Sequence, residues 1–246
     1  MEKVIKGRFY SACDLGRVRN INQDRVLALR NEFDEILLLV ADGIGGLSNG
    51  EEASEKVRST YSAEFKIKKK KSIFGNKKWL IRVAKKINKE LFLARENSDG
   101  VSDCGTTLTV ALLAKNRLIV LNVGDSRCYW VKEDKLVQIT EDQTVASYLE
   151  KTGKEEEIEN NPEVRHGLTN AVGIYPSLAV DCFIHKYRGE KILLCTDGLY
   201  NDLKEVEIEA ILKSNENINE KVNMLIAEAN GNGGNDNIGI VYWESF

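Results

Sequence analysis

Apolar residues in this chain gather either into short strand-like runs or into stripes of helical spacing. The runs Val26–Leu29, Ile36–Ala41, Leu108–Ala114, Arg117–Val123, Cys128–Lys132, Leu136–Ile139, Leu178–Tyr187, Lys191–Cys195 and Ile238–Trp243 are of strand length and are expected as strands. Helical periodicity predicts helices over about Gly50–Phe65, Lys77–Asn97, Gln143–Lys151, Glu205–Lys213 and Asn219–Ala229. On the second of these, Leu80, Val83, Ile87 and Leu91 fall on one face and read as core contacts. The order of elements decides the class. Two strands come first, two helices follow in succession, and then at least four strands run on through short turns such as Glu133-Asp134. Strands clustered in this way imply hairpins and antiparallel sheets with helices on their outer faces, an α+β fold, whereas strict β-α-β alternation would have implied a parallel sheet. No repeat and no linker-like stretch interrupts the chain, so residues 1–246 are expected to form one domain.

Composition narrows the function classes. With 246 residues, 42% hydrophobic and 30% charged, the chain can bury a sizeable core and is not a disordered protein. Its apolar runs fall far short of the ~20 residues of a membrane helix, and its N-terminus, charged from Glu2 and Lys3, does not read as a secretory signal, so a cytoplasmic location is expected. Five widely spaced cysteines without a C-x-x-C pair argue for reduced thiols rather than disulfides or structural zinc. Only His166 and His185 are available as imidazoles, so a bound metal would be held mainly by oxygen, the donor set of magnesium or manganese.

The net charge of -3 conceals an uneven distribution: residues 1–100 hold 21 basic against 14 acidic side chains. The surplus of seven equals the seven lysines of the stretch 66–78. That stretch is expected as a solvated loop between two helices, and its other use would be docking of an acidic protein or a membrane surface. An acidic balance overall does not suggest a nucleic-acid binder.

The candidate chemistry lies in a recurring local pattern, an apolar run that ends in Asp beside Gly. It occurs at Asp42-Gly43, Gly124-Asp125 and Asp197-Gly198, and its mirror image, Asp236-Asn237, precedes the last strand-like run. A carboxylate at the tip of a rigid strand projects into the space that the strand ends enclose, while the glycine permits a turn or a close approach. A single Asp-Gly is most simply a turn. Several converging carboxylates would repel one another, and divalent cations are the simplest means of keeping them charged together. This pattern alone does not separate a two-metal hydrolase from a phosphate-handling fold that uses one aspartate.

A more specific likeness lies in the segments Asp14-Leu15-Gly16-Arg17-Val18-Arg19-Asn20-Ile21-Asn22-Gln23-Asp24, Val40-Ala41-Asp42-Gly43-Ile44-Gly45-Gly46, Cys104-Gly105-Thr106-Thr107-Leu108, Val123-Gly124-Asp125-Ser126-Arg127, Cys195-Thr196-Asp197-Gly198-Leu199 and Asp236-Asn237-Ile238. In kind and order they resemble the motif set of the metal-dependent protein phosphatases, the protein phosphatase 2C type, in its compact bacterial branch. The likeness extends from about Phe9 to Trp243.

The resemblance implies a four-layer α-β-β-α sandwich, two antiparallel sheets flanked by helices, and a serine/threonine phosphoprotein phosphatase in signalling. Phosphoserine and phosphothreonine would be hydrolysed by direct attack of a water or hydroxide bridging two metals, Mn2+ or Mg2+. By the same resemblance Asp42 bridges the ions, the Gly43 carbonyl completes the first, Asp197 and Asp236 bind the second, and Asp24 holds water ligands of the first. Asp125, with Asp197, supports a third ion, and Arg19 grips the substrate phosphate. The stretch 142–173 corresponds to a variable flap beside the site, in which His166 is expected on the substrate side or at the surface. The implied partners are phosphoprotein substrates and a cognate serine/threonine kinase, with no nucleic acid and no transmembrane segment, and the protein is expected to be a monomer.

Two positions depart from the family pattern. Ile44 stands where some members carry a histidine proposed to protonate the leaving group, which leaves the general acid open, and Gln23 replaces a carboxylate that often precedes Asp24. Two other readings remain at this level, a catalytically silent phosphatase-fold binding module and a two-metal hydrolase of nucleotides or nucleic acid. The intact Asp24, Asp42, Asp197 and Asp236 weigh against the first, and the lack of a basic, aromatic-interleaved groove against the second.

Overall fold

In the computed structural model, which describes residues 5–45, 49–96, 104–132, 135–154, 156–157 and 167–246, the chain opens with β1 (Gly7–Asp14), β2 (Asp24–Arg30) and β3 (Ile36–Ile44). Two helices follow, α1 (Asn49–Lys66) and α2 (Ile73–Glu96), and then β4 (Gly105–Thr106), β5 (Leu108–Ala114), β6 (Arg117–Val123), β7 (Arg127–Lys132) and β8 (Lys135–Gln138). The remainder is α3 (Val145–Lys151), β9 (Asp181–Lys186), β10 (Lys191–Cys195), the one-turn α4 (Asp197–Tyr200), α5 (Glu205–Lys213), α6 (Ile218–Gly231) and β11 (Ile238–Ser245).

The most continuous apolar runs, in β3, β5 and β6, are strands buried on both faces. Along β3, Leu37, Leu39 and Ala41 pack against α1 and α2, while Ile36, Leu38 and Val40 face the opposite sheet. Side chains alternate with a period of two, so a strand lying between two cores has no polar face to show in its sequence. One sheet has the order β1-β11-β10-β7-β8, the other β2-β3-β5-β6-β9 with β4 paired to β3. Every pairing is antiparallel. Three apolar clusters fill the spaces between four layers: α1 and α2 on one sheet, sheet on sheet, and α5 and α6 on the other sheet. Helices on the outer faces of two antiparallel sheets are the architecture expected of the chain.

Several boundaries differ from expectation. β1 is not among the expected strands, because it is an edge strand with a mostly half-exposed side-chain pattern and no apolar run. The run 178–187 yields only Asp181–Lys186 as strand. Helix α2 starts four residues before Lys77, at Ile73, where the Ser72 hydroxyl accepts the Gly75 N–H at 3.0 Å and caps the first turn. The largest correction concerns the lysine run. Lys77 and Lys78 belong to α2, and Lys68 is buried, its Nζ donating to Glu35 Oε2 at 2.6 Å. The run is therefore not a uniformly solvated loop. The five cysteines are free thiols. The Glu133-Asp134 turn and His166 lie outside the described residues. Among the described residues no helix is long and apolar enough to cross a membrane.

Candidate active site

Antiparallel pairing brings the aspartates to one end of the sandwich. Asp24 opens β2 and is in register with Asp42 near the end of β3, while Asp125 follows β6 in the same sheet. From the other sheet, Asp197 follows β10 and Asp236 precedes β11, and these two strands are neighbours. Asp42, Gly43, Asp125, Asp197, Asp236 and Arg19 line one cleft of about 900 Å³. Asp24 lies just behind its wall, 1% exposed.

Neighbours both near and far in sequence position these residues. The Thr196 hydroxyl accepts the Gly239 N–H at 2.7 Å and donates its own proton to Asp24 Oδ2 at 2.7 Å. The backbone of Asp42 is clamped from both sides. Its N–H donates to Thr107 Oγ1 at 2.9 Å, and its carbonyl accepts from Thr106 Oγ1 at 2.9 Å and from the Thr107 N–H at 2.8 Å. Asn201, one helical turn after Asp197, donates to its Oδ2 at 3.1 Å. Arg19 Nη2 donates to Asp236 Oδ2 at 2.7 Å. Asn237 then ties the loop to the strands, since its Oδ1 accepts the Gln23 N–H at 2.8 Å and its Nδ2 donates to the Leu15 carbonyl at 2.9 Å. Both Asp-Gly glycines are required by close packing. A Cβ at Gly43 would lie 2.2 Å from the Gly50 carbonyl oxygen, and one at Gly198 would lie 2.1 Å from that of Asn237.

The stretch 142–173 is fastened at both ends. Arg127 makes a forked pair with Asp142, Nε to Oδ1 at 3.1 Å and Nη2 to Oδ2 at 2.7 Å, and stacks 3.5 Å over the Tyr200 ring. Thr144 caps α3 and bridges to Leu168, and Val172 bridges to Thr106 beside the Asp42 clamp. Tyr175, Ile174, Asn170 and Arg95 form the cleft wall on this side. None of these four stood out in the sequence, because Asn170, Ile174 and Tyr175 reach the cleft through the chain's return over it, and Arg95, on α2, meets them there by donating to the Ile174 carbonyl at 2.9 Å.

Burial and mutual repulsion work against charge at this end. Burial foremost, with the charges of Asp197 and Asp236, pushes Asp24 up to about 8 although the Thr196 hydroxyl opposes it. Burial also raises Asp42 well above the usual carboxylate range, with Asp24, Asp197, Asp125 and Asp236 adding to the shift. Asp125 is raised to about 7 by burial and by Asp197 and Asp142. Among the described residues no three His, Cys, Asp or Glu side chains are already closed into a cation cage; the carboxylates line the cleft or, for Asp24, lie just behind its wall. Even so, hard oxygen donors buried together, with protons as the alternative to positive charge, fit divalent cations.

The chain as a whole is similar to known proteins. A family model described as protein phosphatase 2C matches residues 17–229. The serine/threonine phosphatase stp of Listeria innocua is 35% identical over 235 residues, covering 94% of this chain and 93% of that one. Among solved structures, the S. agalactiae serine/threonine phosphatase has a TM-score of 0.90 at 26% identity, with 97% of this chain and 99% of that chain covered. The catalytic domain of the serine threonine protein phosphatase PstP in complex with two manganese ions has a TM-score of 0.84 at 29% identity, with 98% and 99% covered.

Proposed function

Since the chain belongs to the protein phosphatase 2C family, we propose that it is a cytoplasmic protein-serine/threonine phosphatase that acts on phosphoserine and phosphothreonine by direct displacement at phosphorus, in bacterial signalling opposite a cognate kinase. The single observation that carries the mechanism is the convergence of carboxylates from both sheets on one cleft with Arg19 at its rim. We take residues 1–246 as one catalytic domain, because both sheets contribute to that cleft.

Asp42 with the Gly43 carbonyl, Asp197 and Asp236 would hold two manganese or magnesium ions, Asp24 would act through water, and Asp125 with Asp197 would support a third. Such ions, when bound, lower the pKa of a water and neutralise phosphoryl oxygens. The chain's own residues do the positioning. The Thr106-Thr107 clamp fixes the backbone of Asp42, and the Thr196 hydroxyl orients Asp24. Asp236 binds one arm of the half-exposed Arg19 guanidinium, and the fork retains N–H donors for a phosphate dianion. At position 44 the isoleucine offers no proton to the departing alkoxide.

Purified protein should hydrolyse an aryl phosphate and a phosphothreonine peptide with manganese or magnesium, and EDTA or Asp197→Asn should abolish both activities. No turnover with any metal in folded protein would replace this reading with a binding module. Arg19→Lys should lower kcat/KM for the phosphopeptide about tenfold, mostly through KM, because an ammonium keeps the charge but loses the paired N–H bonds. Unchanged kinetics would remove Arg19 from phosphate binding.

A further inference from the structure

The turn between α1 and α2 has two unlike sides. Lys68 points inward, its Nζ 2.6 Å from Glu35 Oε2 and 5.6 Å from the Trp79 ring centroid, with side chains 0% exposed for Lys68 and 4% for Glu35. This contact pins residues 67–72 to the turn between β2 and β3, and the Ser72 cap sets the start of α2. With Lys68 turned in, the outer side presents Lys66, Ile67, Lys69, Lys70, Phe74 and Lys78, all exposed. Ile67 at 79% and Phe74 at 73% are, with the final residue Phe246, the most exposed large apolar side chains among the described residues.

A held turn that sets two bare apolar side chains among lysines matches one kind of surface. The interface of an anionic bilayer offers phosphate groups to the lysines and, a few ångströms deeper, an apolar boundary for Ile67 and Phe74, with lysine stems lying along it. An acidic protein would neutralise the lysines and leave both apolar side chains in water unless it also brought a pocket. We propose that this turn docks the protein reversibly on anionic membrane surfaces. Glu35 directly precedes β3, and Asp42 lies six residues beyond Ile36, about 20 Å along the strand at ~3.3 Å per residue. Docking therefore leaves the cleft at the far end of the sandwich, open to substrates away from the membrane. The inference does not depend on the catalytic reading.

The test is co-sedimentation of the full chain with vesicles of phosphatidylcholine alone or mixed with phosphatidylglycerol. Binding is expected to the mixed vesicles only and should weaken with salt. Lys66→Gln/Lys69→Gln/Lys78→Gln should lower the partition coefficient about a hundredfold, at about fivefold per lysine. Ile67→Ser/Phe74→Ser should lower it about tenfold. Both variants should keep the parent melting temperature and aryl phosphatase activity, since neither touches the cleft or the Lys68–Glu35 pair. Equal binding to both kinds of vesicle, or full binding by the Ile67→Ser/Phe74→Ser protein, would overturn the proposal. Retention by polyglutamate without retention by vesicles would overturn it in favour of an acidic protein partner.

Discussion

Asp42→Asn will lower manganese-dependent turnover of a phosphothreonine peptide about a thousandfold, the scale on which a preorganised electrostatic element acts in a transition state. The same substitution will raise the melting temperature in EDTA. Asparagine keeps the shape and the Thr106-Thr107 backbone clamp but removes a charge that burial and four neighbouring aspartates oppose. The pH dependence supplies a second readout. Asp24, Asp42 and Asp125 are all raised above ordinary carboxylates, so between about pH 4 and pH 8 the folded metal-free protein binds more protons than the unfolded chain. Unfolding then releases protons, and metal-free stability falls as pH rises through that window. Bound manganese would displace those protons, so its stabilisation should grow with pH over the same range. Calorimetric scans across the window with EDTA or manganese measure both slopes, and Asp42→Asn should flatten the EDTA slope. A parent protein whose stability in EDTA rises from pH 5 to pH 8 would contradict the account.

Lys68→Met will destabilise the fold by about 3–5 kcal/mol, the range for removing one partner of a buried ion pair. The loss is large because Glu35 remains buried, with Oε1 already lacking a hydrogen-bond partner among the described residues. In the parent, burial pulls the Lys68 ammonium below its usual pKa range and the Glu35 carboxylate opposes that shift, as for a cation kept charged by its partner. Removing both charges, in Lys68→Met/Glu35→Leu, should restore most of the stability, because a well-packed apolar pair replaces a desolvated ionic one at little net cost. Urea midpoints of the single and double variants decide the matter. A loss below about 1 kcal/mol in the single variant would mean that water reaches the pair. Aryl phosphatase activity of the remaining folded protein should be unaffected, since the pair lies at the end of β3 remote from Asp42.

Local pattern was sufficient for what depends on neighbours in the chain. Ile36–Ala41 and Lys191–Cys195 are strands because each consists mainly of apolar residues short enough to cross a sheet, and the helical stripe containing Leu80, Val83 and Ile87 is buried as its spacing implies. The Asp-Gly motifs were likewise legible, because a carboxylate next to a strand end leaves the same mark wherever it occurs, but they left the reaction open, and the family came from the resemblance of six ordered segments. Contacts between distant segments left no such mark. The sequence does not say that the Thr196 proton goes to Asp24, 172 residues away, or that the pair Thr106-Thr107 serves to hold the backbone of Asp42. Nor does it distinguish Lys68 from the lysines around it; only the approach of Glu35, 33 residues earlier, makes that one lysine internal and its neighbours external. The physical reason is the same in each case. Periodicity and turn chemistry act over a few residues and are written in the chain, whereas burial, repulsion between carboxylates and the satisfaction of a buried charge depend on which segments two sheets bring together.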